Sequence, residues 1–221
     1  CAAKRRNMKK AVIFDLDGTL MNTLFDLYNA VNRALAAFGM PLVTLEKVRF
    51  SVGNGVGKLV ERCLPADRSG DYDAVLARFN AEYAQCKEDH TLPFDGVTET
   101  LTALKNAGVK IAVVSNKTES AVKELCAEEF SGLTDIEVGD DGVRPLKPDP
   151  APVLYALSSL NMGADEAVYV GDQEVDIVTA RNAGIAFVGA GWGFRGEKLL
   201  KAAGAQTVIS DIRQLLPIVL Q

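Results

Sequence analysis

Lys10-Ala11-Val12-Ile13-Phe14-Asp15-Leu16-Asp17-Gly18-Thr19 begins as a buried strand and ends in chemistry. The four apolar residues Ala11 to Phe14 are too few for a helix and carry no alternating polar face, the pattern of a strand covered on both sides. In open α/β folds the functional groups gather just beyond the carboxyl ends of such strands. Here the apolar run stops at Asp15 and turns at Asp17-Gly18, so two carboxylates stand where the core ends.

Downstream the chain alternates. Helical patterns over Val97–Asn106, Glu119–Glu129, Pro150–Leu160, Val175–Asn182 and Glu197–Ala203 are separated by short apolar runs at Val109–Val114, Ile136–Val138, Ala167–Val170, Ile185–Val188 and Thr207–Ile209, with a last helix from Ile212. Such alternation predicts βαβ units and an α/β fold with a doubly wound, Rossmann-like parallel sheet. Between Thr23 and His90 strand signals are absent. Leu24, Leu27, Tyr28, Val31, Leu35 and Phe38 keep helical spacing up to Gly39 and Pro41, the glycine-rich stretch Ser51–Gly57 feeds Leu59, Val60 and Cys63, and a long helix spans Tyr72 to Cys86. Pro93-Phe94-Asp95-Gly96 reads as the returning turn. Residues 8–22 and 91–221 are therefore expected to form the core, and 23–90 an inserted all-helical cap.

The 221 residues are 48% hydrophobic, enough for a substantial core, and carry a formal charge of −5. That balance argues against nucleic acid or an anionic membrane as partner, since both reward clustered Lys and Arg. Cys1, Cys63, Cys86 and Cys126 form no CxxC pair and His90 has no partner at metal-ligand spacing, so zinc is not expected. The cysteines read as small hydrophobes of a reducing cytosol, and no apolar stretch reaches the roughly 20 residues of a membrane span. The expectation is a soluble cytoplasmic protein, monomer or homodimer, with Met8 as a plausible start after an arm or remnant carrying Lys4-Arg5-Arg6.

Four fragments carry the chemistry. Asp15 and Asp17 can divide the tasks of nucleophile and acid/base, while Gly18 admits a close approach of backbone to phosphate and Thr19 offers a hydroxyl. Taken alone, Asp-Gly is also an ordinary turn. Ser115-Asn116 follows a strand and precedes a helix, where hydroxyl, amide and helix-start N–H groups can hold phosphate or simply cap the helix. Lys147 stands between prolines on a stiff segment, suited to neutralising a carboxylate and a transferring phosphoryl group. Asp172 and Asp176 close the fourth strand, one helical turn apart. With Asp15 and a backbone carbonyl, Asp172 can bind Mg²⁺ while Asp176 holds a ligand water.

In this order the fragments resemble the motifs of the haloacid dehalogenase-like superfamily of phosphohydrolases over nearly the whole chain. Asp15-Leu-Asp17-Gly-Thr-Leu matches its first motif, Ser115 its second, Lys147 its third and Gly171-Asp172-x-x-x-Asp176 its fourth. The resemblance implies Asp15 as nucleophile, Asp17 as acid/base with its main-chain carbonyl on Mg²⁺, and Asp172 as metal ligand. It also implies that the insert is a cap that closes over the site and selects substrate. Gly53-Asn54-Gly55-Val56 is similar to the cap of phosphoglycolate phosphatases, which makes Gly53, Asn54, Gly55 and Lys58 candidate substrate contacts. Asn22-Thr23 and Gln173 depart from the common Asp-Ser and small hydroxyl residue of the family, and Gln173-Glu174 adds an acid near the metal crevice.

The pair Asp15 and Asp17 argues against a haloacid dehalogenase or a phosphonate-cleaving relative, because neither carries the second acid. The expected function is Mg²⁺-dependent hydrolysis of a small phosphorylated metabolite, 2-phosphoglycolate among the candidates, through an aspartyl-phosphate. A phosphosugar mutase of the β-phosphoglucomutase type, a pyrophosphatase and a non-catalytic phospholigand binder stand as alternatives.

Overall fold

The computed structural model describes residues 8–86 and 91–221. Expectations for Cys1, the Cys86 side chain and His90 fall outside the described residues. In chain order the elements are β1 (Ala11–Phe14), β2 (Met21–Asn22), α1 (Leu24–Ala37), α2 (Leu45–Ser51), α3 (Val56–Cys63), α4 (Tyr72–Cys86), β3 (Leu92–Pro93), α5 (Val97–Asn106), β4 (Lys110–Thr118) and α6 (Glu119–Glu129). They continue with β5 (Ile136–Asp140), α7 (Ala151–Ser159), β6 (Ala167–Gly171), α8 (Glu174–Asn182), β7 (Ala186–Ala190), α9 (Gly196–Ala202), β8 (Val208–Ile209) and α10 (Leu215–Leu220).

Six strands form a parallel sheet in the order β5-β4-β1-β6-β7-β8. The first strand lies between β4 and β6, with Phe14 opposite Val113 on one side and Val170 on the other. The chain builds outward from β1 through β4 and β5, then returns to build the other half through β6, β7 and β8. Strand order therefore reverses at β1, and the crevice of such a sheet opens beyond the carboxyl ends at that reversal.

Ala11, Val12, Ile13 and Phe14 are all 0% exposed, which is why this strand shows no polar face in the sequence. On one side of the sheet Ile13, Val114, Val138 and Tyr169 pack with Val153 and Ala156 of α7. Each large apolar side chain buried this way contributes about 1.5–3 kcal/mol. Cys63 and Cys126 are free and buried, and burial pushes both thiols up, that of Cys126 to about 12, so neither is a ready thiolate nucleophile.

Most element ends lie within two residues of the sequence reading, and two larger-scale differences bear on the site. The strand expected to stop at Val114 runs on through Ser115, Asn116, Lys117 and Thr118. The chain also divides into compact units at slightly different points, one of residues up to Leu20 with Phe94–Gln221 and one of Met21–Pro93. Met21 pairs with Pro93 and Asn22 with Leu92 in a two-residue antiparallel ladder that is too short to leave an apolar pattern.

Within the inserted unit α1 packs on α4, where Phe79 and Tyr83 stack with ring centroids 5.7 Å apart. The buried Asp26 in the first turn of α1 accepts a 2.6 Å hydrogen bond from the Thr91 hydroxyl. Asn32 bonds the main chain of Val43 in both directions, at 2.8 and 3.1 Å, and Thr44 caps α2 by accepting from Lys47 N. No helix among the described residues is long and apolar enough to cross a membrane.

Candidate active site

The carboxyl ends of β1, β4 and β6 and the segment that follows β5 bring Asp15, Asn116, Lys147 and Asp176 together. Asp15 is the first residue beyond β1, and its N–H donates to Val170 O of β6 at 2.9 Å. Its Oδ1 accepts from Lys147 Nζ at 2.8 Å, and the same ammonium donates to Asp176 Oδ1 at 2.8 Å. The Tyr169 hydroxyl completes the group, 3.0 Å from both Lys147 Nζ and Asp176 Oδ1. Lys147 is 3% exposed and precedes a cis peptide bond to Pro148. Burial opposes its charge, but the Asp15 and Asp176 carboxylates hold its pKa well above the ordinary value.

Asn116 explains how Lys147 is held. Its side-chain amide donates to Lys147 O at 3.0 Å, and its Oδ1 accepts from Lys147 N at 2.8 Å. The sequence reading offered that amide to phosphate or to a helix cap, and the structure instead uses it to grip the lysine's main chain. Ser115 does not cap a helix either, because α6 begins at Glu119 and Ser115 Oγ accepts from Lys117 N at 3.2 Å.

Asp172 and Asp176 are both 0% exposed. Asp172 Oδ2 accepts from Phe194 N at 2.7 Å, and Thr19 Oγ1 donates to Asp172 Oδ1 at 3.4 Å. Asp176 Oδ2 accepts from Gln173 N at 3.1 Å, the reciprocal half of a capping box that opens α8. Two glycines admit these carboxylates. Gly18 lies at φ +91°, and a Cβ there would come within 2.5 Å of Asp172 Oδ2, while a Cβ on Gly171 would come within 2.5 Å of Asp176 Cγ.

The donor set suits a hard divalent cation. One oxygen from each of Asp15, Asp172 and Asp176 lies within 4.8 Å of the others, without a thiol or imidazole among them. Three carboxylates are buried together while Lys147 reaches only two of them, and the excess charge shows. Burial first, and then the charge of Asp176, push Asp15 up to about 7, against the pull of Lys147. Burial and the charges of Asp15 and Asp176 likewise raise Asp172 well above the carboxylate range. A bound cation would relieve this crowding.

Several neighbours escaped the sequence reading. Lys117 Nζ lies 3.1 and 3.3 Å from the two carboxylate oxygens of Asp17. Trp192 Nε1 donates to Thr19 O at 2.9 Å, so the loop after β7 braces the turn after β1. Tyr169 did leave a signal, because a phenol inside the apolar run Ala167–Val170 needs a buried partner for its hydroxyl. Glu174, the acid added beside the crevice, pairs with Arg195 at 3.1 Å.

The candidate cap residues belong to the inserted unit. Gly53 and Gly55 lie at φ +123° and +84°, the left-handed side that favours glycine, and Gly55 caps α3. Asn54 Oδ1 accepts from Arg62 Nη2 at 2.8 Å, and Arg62 Nη1 donates to Ser51 O at 2.8 Å, so the arginine ties the turn together. The half-exposed Lys58 pairs with Glu61 at 2.5 Å.

A family model described as haloacid dehalogenase-like hydrolase matches residues 12–190. A phosphoglycolate phosphatase of Pseudomonas savastanoi pv. phaseolicola is 37% identical over 217 residues, which cover 95% of this chain and 79% of that protein. Another, of Rhodospirillum rubrum, is 38% identical over 219 residues, covering 94% of this chain and 90% of its own length. A crystal structure provisionally described as a phosphoglycolate phosphatase from Lactobacillus delbrueckii subsp. bulgaricus superposes with a TM-score of 0.90 at 31% identity, covering 96% of this chain and 99% of that one. The chain belongs to the haloacid dehalogenase-like hydrolase family.

Proposed function

We propose that this chain is a Mg²⁺-dependent phosphatase of small phosphomonoesters that works through an aspartyl-phosphate on Asp15, with 2-phosphoglycolate as its first candidate substrate. The observation that carries the reading is Asp15 itself, buried at the switch point of the sheet, held by Lys147 and followed two residues later by a second acid. A phospholigand binder has no use for both an attacking carboxylate and an acid/base. The names of the relatives support the choice of substrate.

In this reading an Asp15 oxygen attacks phosphorus while the bond to the leaving oxygen breaks and Asp17 gives that oxygen its proton. Water then returns a proton to Asp17, attacks phosphorus and breaks the Asp15–phosphorus bond, freeing phosphate. Asp15, Asp172 and the Asp17 main-chain carbonyl would hold Mg²⁺, with Asp176 holding a water beside it, and the ion would supply charge neutralisation at the phosphoryl oxygens. Lys147 orients Asp15 and adds positive charge beside it, while Ser115, Thr19 and the amides around Gly18 and Asn116 receive the phosphoryl oxygens. The inserted unit selects the substrate through Gly53, Asn54, Gly55 and Lys58. Two buried free thiols fit a cytoplasmic setting, and the partner is a small phosphorylated metabolite.

Phosphate release is measured from 2-phosphoglycolate, pyrophosphate, hexose phosphates and p-nitrophenyl phosphate, with Mg²⁺ and with chelator, beside Asp15→Asn. Release that needs both the metal and Asp15, greatest on 2-phosphoglycolate, is the expected result. No release from any of them by folded protein would overturn the reading.

A further inference from the structure

Resting on the phosphatase reading above, we infer that Lys117 is a positioning residue for Asp17 and holds the acid/base carboxyl in place through both halves of the reaction. The end of β4 makes this possible. Val114 pairs with Val138 and Thr118 with Asp140, so four steps along β4 are matched by only two along β5. The surplus is a bulge, a device that re-aims side chains next to functional sites. It turns three consecutive side chains to three tasks: Ser115 receives the Lys117 amide, Asn116 grips Lys147, and Lys117 reaches Asp17.

The Lys117 side chain is 4% exposed and that of Asp17 14% exposed. A lysine is almost never buried to this degree unless it is paired, because removing it from water carries a desolvation cost that a buried ion pair must recover. A surface pair of convenience does not require that cost. The main chain at Lys117 is fixed from two sides. Its N–H is bonded to Ser115 Oγ at 3.2 Å. On the β5 side Gly139 comes so close that a Cβ there would lie 2.8 Å from Lys117 O and 2.6 Å from Glu119 N.

The chemistry explains why Asp17 needs such a hold. An acid/base must stay within hydrogen-bond reach of the oxygen it serves, and an aspartate left alone would sample several staggered rotamers. An ammonium has three donors. Lying 3.1 and 3.3 Å from the two Asp17 oxygens, it can donate to whichever oxygen is free of the proton. The orientation therefore persists while Asp17 gives its proton to the leaving oxygen and later takes one from water. Lys117 itself is not consumed and exchanges no proton.

The test compares kcat/KM, which reports phosphoryl transfer to the enzyme, on two substrates of different leaving group. One is the alkyl phosphate that the parent hydrolyses best, whose alkoxide needs a proton. The other is p-nitrophenyl phosphate, whose phenolate leaves without one. General acid catalysis is worth about 10²–10⁴-fold, so Lys117→Met should lose at least about tenfold more on the alkyl phosphate than on the aryl one, and Lys117→Arg should recover most of that difference. Equal losses on the two substrates, or no loss, would overturn the inference. The double variant Asp17→Asn with Lys117→Met removes both charges of the pair together and serves as the reference. On the aryl phosphate it should match Asp17→Asn alone, and a further loss of more than about tenfold would mean that Lys117 acts on another group. A parent inactive on both substrates would instead overturn the phosphatase reading.

Discussion

Asn116 spends both ends of its side-chain amide on the main chain of Lys147, at 3.0 and 2.8 Å, and so sets where the ammonium can reach. In Asn116→Ala both bonds go, and the freed Lys147 N–H and C=O are left buried. The expected loss of stability is about 1–3 kcal/mol, read from denaturant unfolding. Turnover should fall by about 10²-fold because Asp15 loses its fixed partner. A variant with parental turnover would show that the prolines around Lys147 hold it unaided. The core residues legible in the sequence share one property. Asp15 and Asp172 stand where an apolar run breaks and Lys147 stands beside a proline, so composition alone marks them, while Asp17, Thr19 and Asp176 follow shortly after such a break. The tasks of Asn116 and Lys117 depend on register and on which side of a strand each faces, and no local pattern carries that.

Among the elements, β4 decides most. Helices α5 and α6 begin and end where the apolar periodicity places them, because glycine follows one and Pro-free, acid-rich sequence starts the other. The strand between them ends four residues later than expected, because Ser115-Asn116 has the residue types of a helix cap and outweighs the weak strand signal of Lys117-Thr118. The bulge that results needs Gly139 on the neighbouring strand. Gly139→Ala would press a methyl group into the main chain of Lys117 and Glu119, which cannot swing aside as a side chain would. It should destabilise the protein by about 1–3 kcal/mol. It should also lower kcat/KM more on alkyl than on aryl phosphates, since the shift reaches Asp17 through Lys117. A melting curve and rates equal to those of the parent would contradict this account of β4. Strands β2 and β3, two residues each, lie below what periodicity can register.

At the scale of the molecule, the order of the sheet makes the site. The reversal at β1 leaves Asp15 with β4 on one side and β6 on the other, so residues from positions 15, 116, 147, 172 and 176 meet although the chain between them is long. The chain leaves this core after Leu20 and re-enters it at Phe94, whose N–H bonds Leu20 O at 3.0 Å, so the core closes on itself around the insertion. The whole-chain similarity to the Rhodospirillum rubrum phosphatase, which extends over 90% of that protein, is what such a preserved order would leave in sequence. The chemistry of this site rests on whether Asp15 carries the phosphoryl group. The most direct measurement is rapid acid quench of a single turnover with Mg²⁺, followed by mass spectrometry of the peptide that contains Asp15. The account predicts a transient gain of one phosphoryl group on Asp15, absent in Asp15→Asn and in chelator. Phosphate released at full rate with that peptide never modified would contradict it.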